Sequence, residues 1–294
     1  MPKLRDLYGM DLNRLGGYRP EYTSVMERPL TDVELEQRAA PIDRPYASGQ
    51  LEAPMFAPDD LIGSGIPTKL ASLAKGSIPS IAGIFIGPKH PSWNKEAAEL
   101  AMQMKANGVD PRSIHRTTGT LTELPGYPAV QEISDKGASW HPYIQQNGAD
   151  GDIGPARSFI SHPQLFDGYP NLGKVSTALS FSSDNPEGYF MRGDRYMGVA
   201  GRTPEEARSV MLHELQHGVQ AEENWPGGTS IFEARKVLPA NATNDEVKRR
   251  YLTNAGEVMA RITEARRDMD DLQRRRRYPL DAIPNLKLSD LWSE

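Results

Sequence analysis

The sequence predicts an α+β protein, and three features support that fold class. Residues 203–220 carry apolar side chains at helical spacing and are expected to form one long helix. Residues 243–277 open with a capping pattern and are expected to form a second helix. Upstream of both, three short segments have strand character: residues 175–181, 188–192 and 196–200.

The first predicted helix begins with a clear start signal. Thr203 is a favourable N-cap residue, and Pro204 suits the first helical position. Glu206 lies three residues after Thr203, which predicts a capping box. The apolar stripe that follows consists of Ala207, Val210, Met211, Leu215 and Val219.

The same helix carries the pattern H-E-x-x-H. His213 and His217 are i and i+4, so both imidazoles project from one face and can hold one Zn²⁺. Glu214 lies one step round the helix, where it is better placed to take a proton from an attacking water than to bind the metal. The alternative is a pair of buried, hydrogen-bonded histidines without a metal.

A catalytic zinc needs a third protein ligand, and Glu257 is the candidate. It lies in the second predicted helix, which opens with a capping box of Thr243 and Glu246. Arg261, one turn after Glu257, is a candidate to orient the carboxylate. The alternative is an exposed Glu–Arg pair on a solvated helix face.

An ordered series of motifs resembles one known family. The motifs are MKANGVDPRSIHRTTGTL, PAVQEISD, SHPQLFDGYPNL, SVMLHELQHGVQ, ENWPGGTS and AGEVMARITEARR. Together they resemble the zincin-type metallopeptidase domain found in large polyvalent proteins of bacteriophages, over residues 93–284. The resemblance implies a zincin-like fold in which His213, His217 and Glu257 bind zinc. It also implies that Glu214 is the catalytic base.

The chain departs from this family pattern at two positions. The Gly-Glu-Val motif is usually followed by another Glu, and here Met259 takes that place. An aromatic residue often precedes Arg-x-Thr-Gly, and here that position is His115. Neither change touches the predicted zinc ligands.

Composition limits the classes of site and partner. The 294 residues include no Cys, so a metal must be bound by His and carboxylate side chains rather than by thiolates. The formal net charge of −5 gives no general attraction to nucleic acid. The first residues lack the apolar core of a signal peptide, so secretion by that route is not expected.

The predicted domain organisation has five parts. The first, residues 1–60, is rich in Pro and charge and is expected to be an extended arm that orders against partner subunits; a disordered tail is the alternative. The others are an apolar linker segment (residues 61–90), a small helix–hairpin module (91–138), the zincin-like domain (139–284) and a C-terminal tail (285–294).

Two segments bear on further partners. Residues 61–87 are expected to be a linker leading into a first strand, with contact to a membrane or channel wall as the alternative. The basic run at residues 274–277 is expected to favour a helix end and solubility, with DNA contact as the alternative.

The remaining predictions concern single segments and one side chain. The strand at residues 196–200 is expected to lie next to the metal site, and Tyr251 is expected to point away from it. The module is expected to contain a helix over residues 93–106 capped by Ser92, a shorter helix from Asp110-Pro111, and a hairpin of residues 118–124 and 129–133, followed by a loop over residues 139–155.

These observations predict a zinc metallopeptidase that hydrolyses an amide bond. The resemblance implies a virion component, located in the virion or in the host cytoplasm after delivery, with other virion proteins or further copies of this chain as partners. One alternative is a structural internal, ejection, portal- or tail-associated virion protein with a non-catalytic domain. Another is a peptidoglycan endopeptidase that acts as the phage enters the cell, because the same zinc chemistry serves both substrates.

Overall fold

The structure, a computed structural model, describes residues 83–133, 135, 137–181, 187–267 and 269–293. Within these ranges it contains ten α-helices and nine β-strands, which confirms the α+β class. The predicted arm over residues 1–60 and most of the predicted linker over residues 61–90 lie outside the described residues. No described helix is long and apolar enough to cross a membrane.

The elements follow the chain in this order. The strands are β1 (Ile84–Ile86), β2 (Thr120–Leu121), β3 (Val130–Ile133), β4 (Ser139–Trp140), β5 (Asp150–Pro155), β6 (Ile160–Ser161), β7 (Ser176–Ser180), β8 (Glu187–Met191) and β9 (Tyr196–Ala200). The helices are α1 (Lys95–Ala106), α2 (Pro111–Thr118), α3 (Pro142–Asn147), α4 (Ala156–Phe159), α5 (Pro163–Gly168), α6 (Pro204–Glu223), α7 (Ile231–Lys236), α8 (Asn244–Leu252), α9 (Ala255–Arg266) and α10 (Asp271–Arg276).

The strands form three sheets. One has the order β1-β3-β2, and its β2–β3 pairing, with Leu121 opposite Val130, confirms the predicted hairpin. A second consists of β4 and β6. The third has the order β5-β7-β9-β8, in which β7 and β9 are parallel and the other pairs antiparallel. Strands β8 and β9 of this sheet pack against α6.

Helix α6 begins where the sequence predicts, but its capping box is half formed. The Thr203 side chain accepts a hydrogen bond from the backbone N–H of Glu206 at 3.2 Å. The Glu206 carboxylate turns instead to Arg202 and accepts from its backbone N–H and its guanidinium. The carboxylate still lies in the first turn, where it favours the helix dipole.

The second predicted helix is broken into α8, α9 and α10. Helix α8 opens with the predicted capping box of Thr243 and Glu246. The chain leaves the helix after Leu252, and Asn254 caps α9 by accepting from the N–H groups of Gly256 and Glu257. The break is held from the far end of the chain, because the carbonyl of Trp292 accepts from the N–H of Ala255 at 2.7 Å.

Two local predictions in the first half are wrong. Helix α1 is capped by Asn94 rather than Ser92, since the Asn94 side chain accepts from the N–H of Ala97. Residues 139–155 are not a loop but contain β4, α3 and β5. The short helix α2 begins as predicted, with Asp110 accepting from the N–H of Ser113.

One hydrophobic core joins the end of the predicted linker and the predicted module to the predicted zincin-like domain. Phe85 and Ile133, from β1 and β3, belong to the same buried cluster as Leu215 on α6 and Val258 on α9. The basic run also enters the interior. Arg274 is fully buried and donates to Asp135 at 2.8 Å. The basic run therefore serves more than a helix end and solubility.

The shared core places α6 and α9 side by side.

Candidate metal centre

The crossing of α6 and α9 brings the three predicted zinc ligands together. Nε2 of His213 lies 3.7 Å from Oε2 of Glu257, and Nε2 of His217 lies 3.5 Å from Oε1 of the same carboxylate. In the described part of the chain, one ligand atom from each of the three residues lies within 4.8 Å of the others. The geometry thus converges on one position between two helices.

Local structure explains this convergence. The rings of His213 and His217, one turn apart on α6, have centroids 4.9 Å apart. Glu257 lies in the first turn of α9, whose start is set by the Asn254 cap. Gln220 of α6 joins the two helices by donating from its Nε2 to the carbonyl of Gly256 at 2.9 Å.

A glycine loop between α6 and α7 covers the carboxylate ligand. The backbone N–H of Thr229 donates to Oε1 of Glu257 at 3.0 Å. A Cβ added at Gly228 would overlap Oε1 of Glu257 and the ring of His217, and one at Gly256 would overlap the carbonyl of Gly227. The loop can approach the ligands this closely only because both positions are glycine.

Glu214 is buried beside the ligands. Burial raises the pKa of its carboxyl to about 8, helped by the nearby charges of Glu257 and Glu264 and opposed by His213. Without a metal this carboxyl therefore holds a proton near neutral pH. A cation at the neighbouring ligands would favour its ionised form, which can accept a proton.

The strand next to Glu214 is β8, not β9 as predicted. Strand β9 lies inside the sheet between β7 and β8, whereas β8 forms the edge. A Cβ added at Gly188 of β8 would come within 2.5 Å of Oε1 of Glu214 and of the Val210 side chain. The edge strand therefore runs directly over the carboxyl group.

Tyr251 also differs from its prediction, because it faces the site. The break between α8 and α9 turns its side chain toward Glu257. Burial, followed by the charge of Glu257, raises the pKa of Tyr251 well above its usual range. The hydroxyl therefore stays protonated beside the ligand carboxylate.

Several buried polar atoms of the site lack a protein partner. These atoms are Nδ1 of His213, Oε2 of Glu214 and Oε2 of Glu257. Burying such atoms without a partner is costly, and a cation bound by the histidines and Glu257 would satisfy the carboxylate oxygen. Two imidazole nitrogens and a carboxylate oxygen are a ligand set that suits zinc. The residues therefore fit a zinc ion.

The charge state of His213 also favours a bound cation. Burial lowers the pKa of its imidazole, but the carboxylates of Glu257 and Glu264 outweigh burial and raise the pKa to about 10. The site without a metal thus holds a proton on this ring as its counter-charge. A bound cation would replace that proton.

Three side chains that the sequence motifs did not predict surround the ligands. Oε1 of Gln220 accepts a hydrogen bond from Nδ1 of His217. The carboxylate of Glu264 lies 3.5 Å from Nδ1 of His213. Ser209 donates to Glu264 at 2.8 Å. Spacing alone could have identified Glu264, because it lies seven residues after Glu257 and so on the same face of a helix.

Arg261 and three further histidines lie outside the group of candidate ligands. Arg261 donates to the carbonyl of Leu252 at 3.3 Å, and its charge acts on Glu257 only through space. His90, His115 and His162 are buried packing residues outside the metal cluster. A surface cleft of about 450 Å³ contains Arg261, Lys248 and Lys287 but none of the three ligands.

Comparison with known proteins identifies no relative. No protein-family model matches the chain, and neither a curated protein nor a solved structure does. The resemblance to the phage zincin-type domain therefore stays a prediction from the motifs. Function has to be inferred from the side chains of the site.

Proposed function

We propose that this protein is a zinc metallopeptidase with a zincin-like domain, in which His213, His217 and Glu257 bind the metal. Glu214 is the proposed general base. The observation that carries the proposal is the convergence of the three ligands from two helices, with Glu214 buried beside them. These are the parts that metal-assisted hydrolysis of an amide requires.

In the proposed reaction the metal and the protein have different roles. A zinc ion held by the three ligands would polarise the amide carbonyl and make the attacking water more acidic. Glu214 takes a proton from that water as the oxygen attacks the carbonyl carbon, and it passes the proton to the amide nitrogen as the C–N bond breaks. The products are a carboxylate and an amine, so no further co-reactant is needed.

The biological setting proposed here rests on the motif resemblance. It supports a virion-associated protein that acts in the particle or in the host cytoplasm after delivery. Other virion proteins or further copies of the chain are the proposed partners, through the predicted arm over residues 1–60. Peptide or peptidoglycan amide bonds are the proposed substrates.

Burial favours one competing function, a structural virion protein with a non-catalytic site. His213 is 6% exposed, and Glu214 and Glu257 are each 4% exposed. A substrate carbonyl must reach the metal position, and of the three candidate ligands only His217 is partly exposed, with 13% of its side chain accessible. A purely structural zinc site has no such requirement.

Activity measurements on zinc-loaded protein separate these functions. Wild type and Glu214→Gln are compared on unfolded protein substrates and on purified peptidoglycan, with Glu205→Gln, an exposed carboxylate of the same helix, as the matched control. Peptidase function predicts cleavage of one substrate class by wild type and the control but not by Glu214→Gln. Equal zinc content with no cleavage of either substrate by wild type would contradict it and favour the structural role.

A further inference from the structure

The imidazole of His217 is held from behind by an amide. Its Nδ1 lies 2.9 Å from Oε1 of Gln220. The other end of that amide donates to the carbonyl of Gly256, which fixes which atom is the oxygen. Because an amide oxygen only accepts, Nδ1 of His217 carries the proton and Nε2 keeps its lone pair.

The imidazole of His213 is held from behind by a carboxylate instead. Its Nδ1 lies 3.5 Å from Oε2 of Glu264, while its Nε2 faces Glu257. Within the described residues Nδ1 makes no hydrogen bond, and Glu264 is the carboxylate that it faces. The Nε2 atoms of both rings therefore face the ligand carboxylate, and both Nδ1 atoms face away from it.

Glu264 is itself fixed by the two helices that build the site. Ser209, one turn before His213 on α6, donates to Oε1 of Glu264 at 2.8 Å. Oε2 of the same carboxylate faces Nδ1 of His213. The Glu264 carboxylate therefore lies directly behind the His213 ring and is held there from α6.

We infer that Glu264 is a positioning residue for the metal centre. It holds His213 with the Nδ1 proton directed at the carboxylate, so that the Nε2 lone pair faces the metal position. Its negative charge also makes the imidazole a stronger ligand. This inference rests on the proposed zinc site, and it makes His213 the ligand whose strength depends on a second carboxylate.

The competing interpretation is that Glu264 only helps α6 and α9 to pack. A packing role would change the stability of the metal-free protein and leave zinc affinity unaltered in variants that fold. A positioning role changes zinc affinity even when the metal-free protein folds normally. The two interpretations therefore differ in a quantity that can be measured directly.

The test measures the zinc dissociation constant by competition with a chelator of known affinity. The proteins are wild type, Glu264→Gln, Glu264→Ala and Ser209→Ala, with Glu96→Gln as a remote, exposed carboxylate control. Circular dichroism of each metal-free protein checks folding. Spectra of ¹⁵N-labelled histidine in the zinc-loaded proteins report which nitrogen of His213 carries the proton.

We expect Glu264→Gln to weaken zinc binding by about 10- to 100-fold. Glu264→Ala should weaken it at least as much and shift the Nδ1 resonance of His213, because the neighbouring carboxylate is lost. Ser209→Ala should have a smaller effect, and Glu96→Gln should bind as wild type does. If Glu264→Ala does not fold, Glu264→Gln decides, because it retains the size of the side chain.

Unchanged zinc affinity in folded Glu264→Gln and Glu264→Ala would overturn the inference while leaving the proposed zinc site intact. Zinc binding by wild type without cleavage of any substrate would overturn the peptidase proposal and leave the role of Glu264 standing. Failure of wild type to bind zinc would overturn both.

Discussion

Helix α9 carries buried charge at both ends, and the two ends are built in opposite ways. Near its C-terminus, Arg266 makes two hydrogen bonds to Glu132 at 2.7 and 2.8 Å and two more to backbone carbonyls. Near its N-terminus, Glu257 shares a buried space with Glu214, and each has a carboxylate oxygen without a partner. The C-terminal end is thus complete, in that its buried charges are paired within the protein, whereas the N-terminal end is incomplete.

This difference separates a structural cluster from the candidate metal site. The Arg266–Glu132 pair ties α9 to β3, and all its bonds are made within the protein. At the candidate metal site, Glu214 and Glu257 each bury a carboxylate oxygen without a partner, next to two imidazoles, and a bound cation would stabilise this arrangement. Burial alone therefore does not mark the site; the unpartnered oxygens and the metal-ligating side chains beside them do.

The largest effect is expected from Glu214→Gln at the incomplete end. Removing the general base should lower the rate of amide hydrolysis by about 10²- to 10⁴-fold, because water then loses its proton acceptor. Zinc content should stay as in wild type, since Glu214 is not a ligand in this arrangement. Loss of zinc together with activity would show that Glu214 binds the metal instead.

At the complete end, Arg266→Met should destabilise the fold by about 3–5 kcal/mol, because it leaves the buried Glu132 without its partner. Urea unfolding of the metal-free protein measures this. Replacing both members, with Arg266→Met and Glu132→Leu, should recover most of the loss. If the double variant is no more stable than Arg266→Met, these two residues stabilise the fold by more than pairing with each other.

The glycine loop offers a matched pair of smaller changes. Gly228→Ala places a methyl group against Glu257 and His217, and we expect zinc affinity to fall by about 1–3 kcal/mol through displacement of these ligands. Gly227→Ala meets nothing within 4 Å and should leave affinity unaltered. Equal effects of the two changes would contradict the close contact described for the loop.

A pH dependence of stability distinguishes the two ends of α9, because the groups of the candidate metal site have shifted pKa values. In the metal-free protein, burial raises the pKa of Glu214 from 4.5 to about 8, so the folded state keeps a proton that the unfolded chain has released. This contribution to stability is complete below pH 4.5 and is lost as the pH rises through about 8. His213, with its pKa raised from 6.5 to about 10, adds a loss of the same sign at higher pH.

Urea unfolding in the presence of a chelator, at pH values between 5 and 8, measures that dependence. Each group contributes at most about 1.4 kcal/mol per pH unit. The slope should be shallower in Glu214→Gln, because the amide does not titrate. An identical slope in the variant would assign the pH dependence to other groups.

Much of the site could be predicted from sequence because its information is local. The spacing of His213 and His217 sets their common face, and the capping signals at Thr203 and Thr243 locate two helix starts. Glu257 followed from the need for a third ligand and from the motif resemblance.

The remaining features depend on contacts between distant residues. The break that turns Tyr251 toward Glu257 is held by Trp292, and the burial of Arg274 depends on Asp135. Whether β8 or β9 lies at the edge of the sheet is decided by strand order, which short strands do not encode individually. Such features follow from tertiary packing rather than from local pattern.

The central claim is that α6 and α9 build a zinc site, and elemental analysis of purified protein tests it most directly. Wild type and His217→Ala are purified without chelator and their zinc content is measured. The proposed site predicts about one zinc per chain in wild type and loss of zinc in the variant. Wild type without zinc, or a variant that retains it, would contradict the claim.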